Sequence, residues 1–409
     1  MTNRDALILL CSQLSVGQQH KPFSNIKISQ LITKLATLGL ELKDLSNKTF
    51  EELKILFYGD KGIDEKGQDT ISQIMSLFSR EGSMAFAFME LKKWGIDVLT
   101  KFDKDYPKTF IQELDMSAPA LFYFAGNKDL LKEKYIGFTG SRLKKTNTED
   151  EEITKAWANE SINQGYGIVS GGASGIDSFS TQVAIKLKKP FIEWLSDSLI
   201  KRLQINAISL SLQNGNGLLL SEAIPTAPFN VGLAMARNKY IYLTAEKVIA
   251  IKAEYSIKDG KKTGGTWNGA TENLKSNYKR LYVIKDSSCK GNLELIELGA
   301  TPITKYPSTG NSGFLVQPLT DKVSVKKELI DNNYEGIKIL EIIKDLVQSK
   351  SIKLSNKELE SIEESINKIL TCKSLIEIKN LIPQKIYKKI HNQALNIINN
   401  NSGIQTKLF

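Results

Sequence analysis

Histidine is almost absent from this chain: only His20 and His391 occur, both near its ends. That removes the HExxH zinc site, the Ser-His-Asp triad and the His/Cys zinc site of nucleobase deaminases. Cysteine is scarce as well. Cys11, Cys289 and Cys372 are far apart, odd in number and never paired as CxxC. The spacing supports neither a zinc ribbon nor a disulfide framework and fits a reducing compartment. No metal site and no cofactor is therefore expected. No apolar run reaches the roughly 18 residues of a membrane span, and the N-terminus lacks a signal-peptide pattern. The expected location is cytoplasmic, with no membrane partner. Any catalysis would rest on carboxylates, amides, hydroxyls, lysine or tyrosine.

What the chain does have is length and basic charge. Its 409 residues allow two or three domains. With 41% hydrophobic and 24% charged residues it has the composition of a globular protein. Lys and Arg outnumber Asp and Glu by 55 to 45, a net charge of +10. Such an excess suits a polyanionic partner, nucleic acid before an anionic membrane.

Three regions differ in texture. Residues 1–94 read as a helical domain. Apolar positions recur at three and four in Ala6-Leu7-Ile8-Leu10 and Ile28-Leu31-Ile32-Leu35, and the stretch Ile71–Leu91 reads as one helix. Residues 95–320 show short apolar runs, bounded by glycine and separated by helical stretches. These are Tyr135–Thr139, Gly167–Ser170, Phe191–Leu195, Gly217–Leu220, Val248–Ala253 and Arg280–Ile284. That alternation predicts an α/β domain with a mainly parallel sheet covered by helices on both faces. Residues 321–409 turn helical again and have the size of a small helical or winged-helix module.

The chemistry-bearing segments fall where such sheets bind ligands, at strand carboxyl ends. Tyr135–Arg142 ends in Gly140-Ser141-Arg142, which offers close backbone approach, a hydroxyl and a guanidinium fork suited to phosphate. In Gly167-Ile-Val-Ser170-Gly171-Gly172-Ala-Ser174-Gly-Ile-Asp177, small residues make a tight loop that opens into a helix. Its N–H groups and dipole favour an anion. Asp177 reads either as a dipole partner in the first turn or as a pocket carboxylate. This is not Gly-x-Gly-x-x-Gly, and no acidic residue lies at ribose spacing, so a dinucleotide dehydrogenase is not expected. Further on come Leu218-Leu-Leu-Ser-Glu222 and Arg237-Asn238-Lys239. After the apolar run, Tyr255 precedes Gly264-Gly265-Thr266-Trp267-Asn268-Gly-Ala-Thr-Glu272, a cluster better suited to a pocket than to a core.

Taken together these segments resemble the DNA-processing protein A (DprA/Smf) family. Gly95-Ile-Asp-Val-Leu-Thr, Asp103-Lys-Asp-Tyr-Pro107, Ala118-Pro-Ala-Leu-Phe-Tyr, Gly140-Ser-Arg142, Ile168–Asp177, Leu220-Ser-Glu222 and Arg237-Asn-Lys239 follow in the family's order over about residues 95–285. The resemblance implies a Rossmann-like, doubly wound domain that binds single-stranded DNA and loads recombinase. It implies a helical N-terminal module and a winged helix at the C-terminus. It also implies that Arg142, Ser170, Arg237, Asn238 and Lys239 contact DNA; Ser141, Gly171, Gly172 and Ser174 are expected to bind phosphate beside them, on the chemistry of the turn and the glycine loop alone. Three departures stand out. Thr181 occupies a position where the family usually has histidine. The family's Arg-Asn-Arg is Arg237-Asn238-Lys239. Its Ser-Gly-Ser-Leu segment is replaced by Gly264–Glu272, which is locally similar to a loop of the LOG phosphoribohydrolases, enzymes that cleave an N-glycosidic bond.

Two functions compete at this stage. One is a DNA glycosylase that removes a nucleobase, such as a phage-modified one, and leaves an abasic site. N-glycosidic hydrolysis needs a carboxylate near the anomeric carbon, a placed water and donors for the departing base. Glu272 is the first candidate and Asp177 the second, with Asn268 reading a base edge and Trp267 or Tyr255 stacking on a flipped base. The other is a non-catalytic single-strand binder that protects DNA or loads recombinase. A LOG-like enzyme for free nucleotides is a weaker third, since the extra modules and net charge favour a polymer. The departures fall where a new pocket would form, and on that ground the sequence leans to the glycosylase. The expected partner is DNA, single-stranded or with a flipped base. A recombinase and a second copy of the chain are further partners that this reading admits.

Overall fold

The computed structural model describes residues 1–14, 20–59, 62–142, 146–307 and scattered positions between 343 and 393. The chain divides into two compact units, Met1–Gln317 and Pro318–Phe409. In the second, the described residues Ile343, Val347, Ile382, Ile386 and Ile390 are buried. The four-residue spacings within this set are those of helix faces. The expected winged helix falls mostly outside the described residues.

The first unit opens with five helices: α1 (Asn3–Cys11), α2 (Asn25–Thr37), α3 (Phe50–Tyr58), α4 (Glu65–Phe78) and α5 (Glu81–Lys93). Side chains cap the first four: Thr2, Ser24, Thr49 and Asp64 accept hydrogen bonds from backbone N–H groups of the first turns. The single helix expected over Ile71–Leu91 is two. The break lies at Ser79–Arg80 because Arg80 turns inward: its guanidinium donates to the carbonyls of Leu9, Ser12 and Leu14.

The α/β region follows as β1 (Ile96–Thr100), α6 (Lys108–Leu114), β2 (Leu121–Gly126), β3 (Tyr135–Thr139), α7 (Thr148–Asn163), β4 (Gly167–Ser170), α8 (Ile176–Lys186), β5 (Phe191–Leu195), α9 (Leu199–Leu203), α10 (Asn206–Gln213), β6 (Gly217–Ser221), α11 (Val231–Thr244), β7 (Lys247–Ala250), β8 (Ser256–Lys258), β9 (Lys261–Thr263), α12 (Gly265–Ser276), β10 (Arg280–Ile284), α13 (Lys290–Glu297) and β11 (Thr301–Ile303). The main sheet has the order β1-β2-β6-β5-β4-β3-β7-β10-β11. β2 is antiparallel to both β1 and β6, and every other pairing is parallel. The chain winds outward from β3 through β4 and β5 to β6, then crosses over to β7 and winds the other way. The direction thus reverses between β3 and β7, the place where open α/β sheets bind ligands.

Both faces of the sheet are buried, which is why its strands read as continuous apolar runs. Side chains alternate between two layers. Ile136, Phe138, Ile168, Phe191 and Ile249 enter one, together with residues of α7 and α8. Tyr135, Val169, Ile192, Trp194 and Val248 enter the other, together with residues of α6, α11 and α12.

The N-terminal helices share the first of these cores. Polar bonds tie them to the sheet region. Asn25 accepts from the Ala120 N–H at 2.9 Å and donates to Glu222 at 2.7 Å. The Ser12 and Tyr123 hydroxyls are 2.8 Å apart, and Arg4 pairs with Asp103 at 3.1 Å. The expected separate domain at 1–94 is in this sense continuous with the α/β region.

Candidate nucleic-acid interface

The turn after β3 places Gly140, Ser141 and Arg142 at the reversal point. Ser141 is buried, and its hydroxyl donates to the Lys252 carbonyl beyond β7 at 3.2 Å. It therefore joins β3 to β7 across the crevice and does not offer its hydroxyl to solvent. Arg142 forms an isolated bridge with Gly175 and is exposed. Its guanidinium lies 4.3 Å above the ring of Phe229, itself 43% exposed. Phe229 precedes α11, two residues before Val231, which is also exposed. The sequence reading did not single it out. The signal was an aromatic between Pro228 and the N-cap Asn230, a place without strand or helix to explain it.

The glycine loop after β4 is more self-contained than expected. The Ser170 hydroxyl is fully buried, 3.1 Å from the Thr181 hydroxyl, and accepts from the Gly172 N–H at 3.4 Å. Ser170, expected on the DNA surface, instead shapes the loop from within. Thr181, at the family's histidine position, is its partner. The Ala173 N–H reaches Asp177 at 3.4 Å and the Gly175 N–H reaches Ser178 at 3.1 Å. Several of the N–H groups expected to cradle an anion thus have internal acceptors, two of them at the long limit for a hydrogen bond. Ser174 stands exposed on the loop.

Arg237 lies beneath this loop and is buried. Its guanidinium presses on the Gly171 backbone so closely that a Cβ there would lie 1.4 Å from Nη1. Only glycine fits. Nη2 reaches Asp177 at 3.4 Å, while Nε is buried with no partner. Burial raises the Asp177 carboxyl, and the Arg237 charge opposes that rise. Asn238 is also buried and donates to the Gly265 carbonyl at 3.1 Å. A Cβ on Gly269 would come within 2.8 Å of the same amide, so the first turns of α12 rest directly on the Arg237–Lys239 triplet. Arg237 and Asn238 are framework residues here, not surface ones.

Lys239 reaches Glu272 at 3.0 Å, with both side chains about one-third exposed. Glu272 is thus an ion-paired carboxylate on the second turn of α12. The Tyr242 hydroxyl is buried without a partner, and burial first, then the charges of Glu272 and Asp177, push it well above the usual phenol range. Asn268 is half-buried. Trp267, expected to stack on a base, is only 6% exposed and packs against Tyr255 with ring centroids 4.9 Å apart. The Tyr255 hydroxyl donates to Glu294 at 2.6 Å. The two rings are committed to each other. The remaining expected loop residues, Gly264, Gly265 and Thr266, form the start of α12, which follows the hairpin of β8 and β9.

Among the described residues no cluster of three His, Cys, Asp or Glu side chains is placed to hold a metal. Burial pushes the Cys11 thiol up to about 12, so it is inert. No helix among the described residues is long and apolar enough to cross a membrane.

A mainly parallel sheet that reverses its winding at β3, with an arginine turn and a glycine loop at the carboxyl ends, defines a Rossmann-like α/β protein with its ligand crevice at the reversal. Residues 97–310, more than half of the chain, match the model of the family described as DNA recombination-mediator protein A, and the chain belongs to that family. Among solved structures it is similar to DNA processing protein A from Streptococcus pneumoniae, at 22% identity over 72% of this chain and 98% of that one, with a TM-score of 0.47. It is similar also to DNA processing protein A from Helicobacter pylori, whose structure addresses single-stranded DNA binding, at 24% identity over 51% and 90% of the two chains, TM-score 0.41. The molybdenum cofactor carrier protein of Chlamydomonas reinhardtii shares 15% identity over 46% of this chain and 99% of that one, TM-score 0.32. No curated protein matches the chain.

Proposed function

We propose that this chain binds single-stranded DNA at the carboxyl edge of its sheet, as a recombination mediator does, without breaking a bond. The observation that carries this reading is the Arg142–Phe229 pair. It sets a guanidinium fork and an exposed aromatic ring side by side at the reversal point. A phosphate takes the first, and a nucleobase stacks on the ring or on the guanidinium plane. The family supports the same substrate. The net charge of +10 supports a polyanion.

The test is fluorescence anisotropy of labelled oligothymidine across a salt series. Arg142→Ala is expected to weaken binding and to reduce the slope of log K against log salt by about 0.7, the share of one phosphate on a single strand. Phe229→Ala is expected to lose about 1–3 kcal/mol, the worth of one base stack, with the slope unchanged. Wild-type affinity and slope in both variants would remove the pair from the DNA path.

A second reading keeps the base-removing activity, on one observation: α12, the segment that departs from the family, lies against the Arg237–Lys239 triplet and pairs Glu272 with Lys239. In that reading Lys239 orients Glu272 until a flipped base displaces it. Incubation with unmodified and modified DNA, followed by alkali cleavage, decides between the two. Abasic sites that vanish with Glu272→Gln would establish the enzyme; their absence on every DNA leaves the binder.

A further inference from the structure

The hairpin β8–β9 is the most exposed ordered element beside the crevice. Nothing in the sheet requires it. All three residues of β8 are exposed, as are Asp259, Gly260, Lys261 and Lys262. Asp259 and Gly260 have φ of +50° and +72°, the left-handed pair that a tight two-residue hairpin turn needs. The register sets Ile257 opposite Lys262 and Lys258 opposite Lys261. An isolated two-stranded hairpin is marginal in water, so its root matters. Lys262 ion-pairs with Glu294, which also accepts from the Tyr255 hydroxyl, and its ammonium lies 5.0 Å from the Tyr255 ring and 5.2 Å from the Trp267 ring. The aromatic pair that looked like a base-stacking platform is the hinge post of this hairpin.

Both ends of the hairpin are tied to the crevice. On the entering side, Lys252 accepts from Ser141, the neighbour of Arg142. On the leaving side, Gly265 accepts from Asn238, the neighbour of Arg237. The hairpin therefore rises from the mouth of the site. Its composition does not suit a free surface element. Lys258 and Lys261 form a like-charged cross-strand pair, an arrangement that costs stability, and no carboxylate among the described residues pairs with either, Asp259 in the turn included. Ile257, on the other face, is 68% exposed.

We propose that β8–β9 is a cationic finger that extends the single-strand track beyond Arg142. Lys258 and Lys261 take consecutive phosphates, and Ile257 wedges against a base. The occupant follows from charge complementarity and from continuity with the crevice: a polyanion relieves the repulsion between the lysines, and an unstacked base covers the isoleucine. The proposal rests on the single-strand binding described above.

The test uses the full chain and labelled oligothymidine long enough to pass the crevice. The Lys258→Ala/Lys261→Ala double variant is expected to reduce the salt slope by about 1.4, which is about a tenfold loss of affinity at 0.15 M salt. Ile257→Ser is expected to lose at least about fivefold, the loss expected when part of a buried aliphatic side chain is removed, with the slope unchanged. Thermal melting like that of the wild type verifies that both variants are folded. If Arg142→Ala weakens binding while the hairpin variants bind with wild-type affinity and slope, the finger is overturned and the crevice stands. If the wild type does not bind, or Arg142→Ala changes nothing, the crevice reading itself fails, and the finger with it.

Discussion

At the scale of single residues, the site is defined by which charges are spent inside the protein and which are left outside. Arg237 is spent: it lies on Gly171, reaches Asp177 and leaves Nε without an acceptor. Arg142 is left outside, on Phe229. The burial of Asp177 also makes the protein sensitive to pH. Burial raises the Asp177 carboxyl, so the folded state holds that proton more tightly than the unfolded chain does. The resulting stability is present below the ordinary carboxylate value and is lost as pH rises through the raised folded value. We expect Asp177→Asn, which cannot titrate, to flatten the dependence of unfolding free energy on pH over that acidic window. Urea titrations at a series of pH values measure it; a pH profile unchanged by the substitution would mean that Asp177 binds its proton equally well in the folded and unfolded states. Arg142 was legible as the last residue of a strand-end turn. The burial of Ser170 and Trp267 was not, because their partners, Thr181 and Tyr255, are set by the packing of α8 on β4 and of α12 beside the hairpin.

At the scale of elements, legibility followed burial on two faces. β3, β4, β5, β6 and β10 coincide with apolar runs because each is sandwiched between helices and has no polar face to interrupt it. β7 stops at Ala250, short of the run that continues to Ala253, because Lys252 turns to Ser141 and to the Asp150 carboxylate at 3.0 Å. The hairpin gave no hydrophobic period, since β8 is exposed throughout. Its one local signal, Asp259-Gly260, is the dipeptide that favours the turn found there. The α4–α5 break was invisible because Arg80 reads as an ordinary helix residue until α1 and the residues just after it supply the carbonyls that draw it in. At the end of β7 and at the α4–α5 break a polar side chain answered to a distant backbone group, which no local period reports.

At the scale of the whole molecule, five N-terminal α-helices among the described residues stand beside a doubly wound sheet. The contacts give a structural reason for them. β1 is the edge strand of the sheet, and α1 and α5 lie against it; Leu7, Leu10, Ile28 and Leu35 share one core with Ile96 and Tyr123. Without these helices that apolar surface and an unpaired strand edge would face water, the condition that drives edge-to-edge association. Glu222 links this packing to the site face. It accepts from Asn25 of α2 and from Tyr240 of α11, the helix that carries Arg237, Asn238 and Lys239. We therefore expect a chain that begins at residue 95 to be recovered aggregated, or to lack a cooperative thermal transition, and to bind oligothymidine poorly even though every residue of the crevice is present. Size-exclusion chromatography and near-ultraviolet circular dichroism check it. A monomer that melts cooperatively near the wild-type temperature would make residues 1–94 an autonomous module, and their contacts with Tyr123, Ala120 and Glu222 dispensable for the fold. The proposed crevice, in that case, would belong to the sheet alone.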